Sequence, residues 1–173
     1  VAGTYNADPS HSTAAFVVRH AGISKVRGTL GLNSATITIG EDVESSTVVA
    51  ELDATAVNTG SPDRDAHLTS ADFWDAEKNP TWTFTSTSVS SDGDDFVVTG
   101  DLTINGVTKS VELETEFDGT AVDAYGNPRA GFEAKTEISR KDFGLTWNVA
   151  LEAGGVLVSD KVKISLDISA IKA

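Results

Sequence analysis

The chain contains no cysteine and no methionine among its 173 residues. Without a thiol there is no disulfide, no thiolate metal site and no cysteine nucleophile, and the redox compartment leaves no mark on the sequence. The missing methionine points to a processed or trimmed N-terminus, with a removed leader still open. Cations are scarce, with 13 Lys and Arg against 26 Asp and Glu and a formal net charge of −13. A surface of that sign repels phosphate backbones and anionic lipid head groups, so nucleic acid is not an expected partner, while the charge favours solubility. No stretch approaches the ~18 consecutive apolar residues that span a bilayer, and Val1 to Ser10 lacks the basic-then-apolar order of a signal peptide. Helical periodicity is nearly absent, as are linkers, low-complexity tracts and internal repeats. The length suits one packed domain covering residues 1–173.

What is present is alternation with a period of two, the mark of a half-buried strand. Between Ser110 and Phe117 one face carries Val111, Leu113, Thr115 and Phe117, and the other Ser110, Glu112, Glu114 and Glu116. Thr81 to Ser88 sets Trp82, Phe84, Ser86 and Ser88 against threonine at every other position. Ala130 to Ile138 and Lys161 to Ser169 alternate in the same way. Weaker strand signals cover Ala14 to Arg19, Lys25 to Ile39 with a bend near Gly31 to Ser34, Ser46 to Ala54, and Phe96 to Ile104. Turns are expected at Gly40-Glu41-Asp42, Ser91-Asp92-Gly93-Asp94, Asn105-Gly106 and Tyr125-Gly126-Asn127-Pro128. This pattern predicts a closed barrel or a sandwich. The long interruption from Asn58 to Pro80 carries a helix start at Ser61-Pro62-Asp63. Ser70 is placed to cap a second turn that sets Phe73 and Trp74 against the barrel. It is read as a lid or as a plain end cap.

The inward set mixes large aromatics (Phe16, Trp82, Phe84, Phe96, Phe117, Phe132) with very small residues (Gly28, Ala50, Ala54, Ser86, Gly100, Ala134). An eight-stranded barrel is just wide enough to be filled by side chains or to hold one slim ligand. Strands of about ten residues at ~3.3 Å per residue would enclose an apolar space on the order of 30 Å long, suited to a chain-like molecule. Pattern alone leaves a solid core, in which small and large residues interdigitate, equally open.

Little in the chain suggests catalysis. His11, His20 and His67 lack the spacing of a metal site, although Asp8-x-x-His11 and Asp65-x-His67 put carboxylates nearby. A hydrolase or isomerase acting on a lipid diphosphate would use His67 and Asp65 as its acid/base pair. Arg19, Arg64 and Arg140 each suit a phosphate or a polar head group, because guanidinium binds phosphate in a bidentate fashion. The competing reading makes them loop clamps, which is favoured for Arg140 by the nearby Asp142 and stays even for Arg64.

In order and spacing these residues resemble the YceI family of lipid- and isoprenoid-binding proteins. The matching pieces include Asp8-Pro9-Ser10-His11-Ser12, Phe16-x-Val18-Arg19-His20, Val26-x-Gly28, Asn58-Thr59-Gly60, Arg64-Asp65-x-His67-Leu68 and Asp72-Phe73-Trp74-Asp75. Further along are Pro80-x-x-x-Phe84, Gly100-Asp101-Leu102-Thr103-Ile104-x-Gly106, Gly131-Phe132 and Arg140-x-Asp142-Phe143-Gly144, so the pattern runs from about Asp8 to Ile168. The resemblance implies an extended, lipocalin-like, eight-stranded antiparallel barrel, with a short helical segment around residues 62–75 capping one mouth. It also implies an isoprenoid ligand such as a polyprenyl diphosphate or a quinone tail and a tendency to form homodimers, and it does not imply an established catalytic activity; no enzymatic activity, metal or cofactor is expected. Trp74 and Trp82 stand where relatives commonly carry other apolar shapes, which would narrow the cavity. The stretches Gly154-Gly155-Val156-Leu157-Val158 and Tyr125-Gly126-Asn127-Pro128-Arg129 are closer to relatives without a leader, which favours the cytoplasm over a periplasmic or secreted mature form.

The resulting expectation is a carrier or sequestering protein for a polyisoprenoid. Phe16, Phe84, Leu102, Phe132 and Trp147 would line the cavity, with Val18, His20, Gly28 and Phe143 adding to the ligand site. The segment from Arg64 to Trp74, including Phe73, would gate it. Arg19, Arg64 or His67 would meet the polar head. A filled barrel serving as a stress-response interaction module is the remaining alternative.

Overall fold

The computed structural model describes residues 2–148 and 158–173. Gly154 to Leu157, used above in the family resemblance, lie outside the described residues. The strands are β1 (Gly3–Ala7), β2 (Thr13–His20), β3 (Ser24–Ile39), β4 (Thr47–Asn58), β5 (Thr81–Asp92), β6 (Asp95–Ile104), β7 (Val107–Val122), β8 (Pro128–Ser139) and β9 (Val158–Lys172), with a single α-helix, α1 (Pro62–Thr69), between β4 and β5. No helix among the described residues is long and apolar enough to cross a membrane.

From β2 onward each strand pairs antiparallel with the next, and β9 returns to pair with β2. This closes an eight-stranded up-and-down barrel without free edges, the arrangement that alternating strands joined by short turns favour. β1 extends the line of β2, bridging the far ends of β3 and β9. One end of the barrel carries α1 and the connection from residue 59 to 80; the other carries the β3–β4, β5–β6 and β7–β8 turns. The expected bend near Gly31 appears as two register shifts between β3 and β4.

Two departures from strict alternation re-aim side chains. A bulge between Ser86 and Ser88 switches the phase of β5, so Val89 rather than Ser88 is buried, opposite Val98 of β6. A second bulge on β7 follows Phe117, which faces Phe132 across the strand pair with ring centroids 5.3 Å apart. An extra residue in one strand swaps the faces of all that follow, which a count by twos does not foresee. The helical segment is also shorter than expected. Ser61 caps the start of α1 and Pro62 occupies its first turn, but Ser70 adopts extended backbone and ends the helix, so the chain up to residue 78 runs in turns.

The Asp8-Pro9-Ser10-His11-Ser12 motif is the joint between β1 and β2, a 3-10 turn capped by Asp8. The Asp8 carboxylate accepts from the Ser10 hydroxyl at 2.7 Å and, on its other oxygen, meets His11 Nδ1 and Arg129 Nη1 at 3.0 Å each. Arg129 Nε donates to Asp123 Oδ2 at 2.7 Å, tying the β7–β8 turn to the same joint. The Ser10 hydroxyl, Arg129 and His11, in that order, hold Asp8 far below the ordinary carboxylate range. Arg129, followed by the Asn127 backbone N–H, pulls Asp123 from 3.8 down to about 2.

A carboxylate depressed by folding stabilises the native state above its ordinary pKa, and that stabilisation disappears as pH falls through the lowered value. The melting temperatures of the wild type and Arg129→Gln should therefore differ most above about pH 5 and converge toward about pH 2. A difference that persists undiminished at the acid end would assign Arg129 to packing instead of charge.

Candidate functional site

The barrel interior is divided. At the α1 end, Trp74 packs edge-to-face with Trp82 (ring centroids 5.4 Å) and Phe16 (6.3 Å), and Phe73 lies beside it at 6.5 Å. The Trp74 indole N–H donates to Ala54 O at 3.0 Å, which satisfies its polar edge inside the core. Leu30, Val57, Ile104, Phe143 and Leu145 complete this plug. Phe16 lies over Gly28 and Phe84 over Gly100, so closely that a methyl group at either glycine would overlap the ring. Two of the small inward residues are thus already filled by aromatic neighbours from the adjoining strand.

Beyond the plug the small residues leave real space. A cavity of about 450 Å³ extends toward the turn end, bordered by Ala35, Ala50, Phe84, Leu113, Ala134 and Leu166 among others. That volume lies within the ~300–1,000 Å³ typical of ligand pockets. Trp82 closes the inner end, while exposed Ala2 and Glu41 border the outer end, so the cavity meets solvent beside the β3–β4 turn. Along β7 it runs from Val111 to Phe117, about 20 Å at ~3.3 Å per residue. It is shorter than the expected full-length channel because the aromatic plug occupies the remainder. The Trp82 indole N–H is the one buried side-chain polar atom without a hydrogen-bond partner among the described residues, a group that costs about 1–3 kcal/mol to leave unpaired.

Of the candidate ligand-binding residues, Phe84, Leu102 and Phe132 border this cavity. Phe16, Gly28, Phe73, Trp74 and Phe143 sit buried in or against the plug. Val18 and His20 are half-buried and Arg19 exposed, all toward the α1 end of β2. Trp147 sits outside the cavity wall, against Phe73 at 5.3 Å and His67 at 4.7 Å. Arg64 clamps its own loop, donating from Nε to Thr59 Oγ1 and from Nη2 to Thr59 O at 2.9 Å each.

Several expectations need correction. The Arg64 to Trp74 segment closes the end opposite the opening, which fits the end-cap alternative and not a gate at the cavity mouth. Arg19, Arg64 and His67 lie at that closed end, away from the cavity mouth. His67 and Asp65 do not form a pair: His67 Nε2 meets Asp72 Oδ2 at 2.9 Å, while Asp65 accepts from Thr59 N and Oγ1. Arg140 is the clamp it was favoured to be. It is buried and donates to the carbonyls of Leu145, Trp147, Val158 and Ser159, and burial lowers its pKa.

Other lining residues escaped the sequence reading. Val89 was hidden by the β5 bulge, and Val43 by treating the β3–β4 connection as a plain turn. The signal that could have located the plug is the Phe73-Trp74 pair itself. Two adjacent large aromatics in a connection are costly to expose and fit a buried end cap better than a mobile gate.

A family model described as a YceI-like domain matches residues 5–170. Protein YceI of Escherichia coli O17:K52:H18 is 44% identical over 148 residues, covering 84% of this chain and 78% of that protein. BcnA of Burkholderia cenocepacia has a similar structure, with a TM-score of 0.80 at 19% identity over 94% of this chain and 98% of BcnA. A polyisoprenoid binding domain from Saccharophagus degradans is similar with a TM-score of 0.66 at 16% identity, over 98% of both chains. At those identities the two structures speak for the fold.

The division of the interior predicts opposite responses to one substitution at two sites. Ala134→Phe, which points extra volume into the cavity, should cost less than about 1 kcal/mol in urea unfolding. Ala54→Phe, in the plug, should cost about 1–3 kcal/mol or more through overpacking. Equal costs would mean that the space beside Ala134 is not available to a side chain.

Proposed function

The chain belongs to the YceI-like family, and from that premise we propose that it binds a long-chain polyisoprenoid in the barrel cavity and carries or sequesters it. The observation that carries this reading is the apolar cavity of about 450 Å³ that opens at the turn end and stops at Trp82. Burial contributes about 25 cal/mol per Å² of apolar surface, so a flexible hydrocarbon chain gains affinity there with little polar recognition, less the cost of ordering it. The polyisoprenoid binding domain with a similar fold supports the same ligand class.

The reading makes the protein a binder and not a catalyst. A catalytic site needs a titratable pair within reach of its substrate, and Glu41 is the only ionisable side chain among the described residues that line the cavity. The homodimer implied by the family resemblance is part of the same proposal.

Native mass spectrometry of the gently purified protein, followed by organic extraction, tests both parts. A stoichiometric polyprenyl or quinone species released from a dimer is the expected result. Repeated preparations that release nothing, together with no uptake of added isoprenoid, would return the barrel to the role of an interaction module.

A further inference from the structure

The closed part of the barrel has no free edge, but β7 outruns it. The ladder between β6 and β7 ends at Phe96 and Thr115, while β7 continues to Val122 paired with β8 alone. Among the described residues no strand pairs with the other side of residues 117–122, an edge of about 20 Å at ~3.3 Å per residue. The space beside it is open: Thr120, Ala121 and Val122 are exposed, and a methyl group at Gly119 would meet nothing within 4 Å. The edge is also held in place. Asp123 accepts from the backbone N–H groups of Tyr125 and Asn127 and from Arg129 Nε, which fixes the turn that joins β7 to β8.

One face of this edge is acidic and the other apolar. Glu116, Asp118 and Glu133 share the outer face, with their carboxylates within 4.8 Å of one another. Asp167 of β9 lies opposite Glu133, and one step beyond the Phe96–Thr115 pair brings Asp95 to Glu116. Asp92 and Asp94 follow on the β5–β6 hairpin. Like charges on facing strand positions repel, and Asp118, loss of solvent, Glu116 and Asp167 together raise the pKa of Glu133. The basic groups nearby are engaged: Lys135 faces Glu114 at 3.7 Å, and Arg129 is held by Asp8 and Asp123. On the other face, Val122 stands opposite Pro128, in line with Ala130 and Phe132 of β8. Val122 and Tyr125 are 69% and 90% exposed, two of the four large hydrophobic side chains so placed among the described residues, so this hairpin concentrates apolar surface as well as charge.

We propose that the 117–122 edge of β7 docks an extended segment of a partner protein by strand addition, and that this segment alternates Lys or Arg with apolar residues. Main-chain hydrogen bonds to the free edge supply the binding, and alternate side chains set the choice of partner. Basic residues of the added strand meet Glu116 and Asp118 on the outer face, and apolar ones cover Val122 on the other. A second copy of this chain is disfavoured as the occupant. It would bring its own Glu116 and Asp118 against these, and charges on an edge commonly prevent such self-pairing. Phe117 belongs to this segment and borders the cavity, so the partner sits beside the cavity mouth. The proposal does not depend on what the cavity holds.

Backbone NMR of the full chain, titrated with a six-residue peptide that alternates lysine and valine, tests it against two control peptides. One carries glutamate in place of lysine; the other carries proline in place of valine, which keeps the charge and removes N–H groups that a ladder needs. The lysine–valine peptide should shift the amides of residues 117–122 and protect them from exchange, and both controls should bind about tenfold more weakly. Asp118→Lys, at an exposed position, should weaken the lysine–valine peptide several-fold and leave the rest of the spectrum unchanged. Equal binding of the proline peptide would reduce the edge to unspecific charge attraction and overturn strand addition. Shifts centred elsewhere, or no binding at millimolar peptide, would overturn the proposal as well. If the 117–122 amides respond to protein concentration instead of peptide, the occupant is a second copy and the proposed partner is wrong.

Discussion

The hydrogen bond from the Trp74 indole to the Ala54 carbonyl governs how the barrel interior is used. It fixes a large aromatic brought in from the β4–β5 connection against the inner wall of β4 at 3.0 Å. Phe16 and Trp82 then pack edge-to-face around it. An eight-stranded barrel of uniform small residues would be hollow throughout, and one of uniform large residues would be solid. Here the aromatics are concentrated at one end, so one end is solid and the other hollow. That asymmetry sets which end of the cavity meets solvent, the turn end.

The barrel is held in this form by charges placed away from the cavity. Arg129 ties the β1–β2 joint to the β7–β8 turn through Asp8 and Asp123, and Ser12 adds an exchange of hydrogen bonds with Ser169 of β9. At the other end Arg140 gathers the four carbonyls of Leu145, Trp147, Val158 and Ser159. Such charge-assisted bonds are stronger than neutral ones, and removing one partner leaves buried groups unpaired. The two family motifs that contain these residues, around Asp8 and around Arg140, are therefore framework for the cavity and do not form part of its wall.

Much of the fold was legible from alternation. The Glu112, Glu114 and Glu116 face of β7 is exposed and the Val111, Leu113 and Phe117 face turns inward, as counted by twos. The helix start at Ser61-Pro62 and the bend at Gly31 were legible because each depends on local backbone chemistry. The end of the barrel that opens was not legible, because a period of two identifies a face of a strand but no position along it. Whether Gly28 marks empty space depends on Phe16, which reaches it only across the β2–β3 pairing, and the same holds for Gly100 and Phe84. The length of the 59–80 connection left a lid and an end cap open, and the burial of Phe73, Trp74 and Ala76 against the core favours the end cap.

The division of the interior fixes the route by which a chain-like lipid would enter. A crystal structure of the protein with geranylgeraniol bound tests this most directly. The chain should pass the β3–β4 turn beside Gly40, run between Phe84 and Ala134, and stop at Trp82 with the Trp74–Ala54 hydrogen bond intact. A chain that instead enters between α1 and β4 and displaces Trp74 would contradict the account, because the aromatic plug would then be the gate.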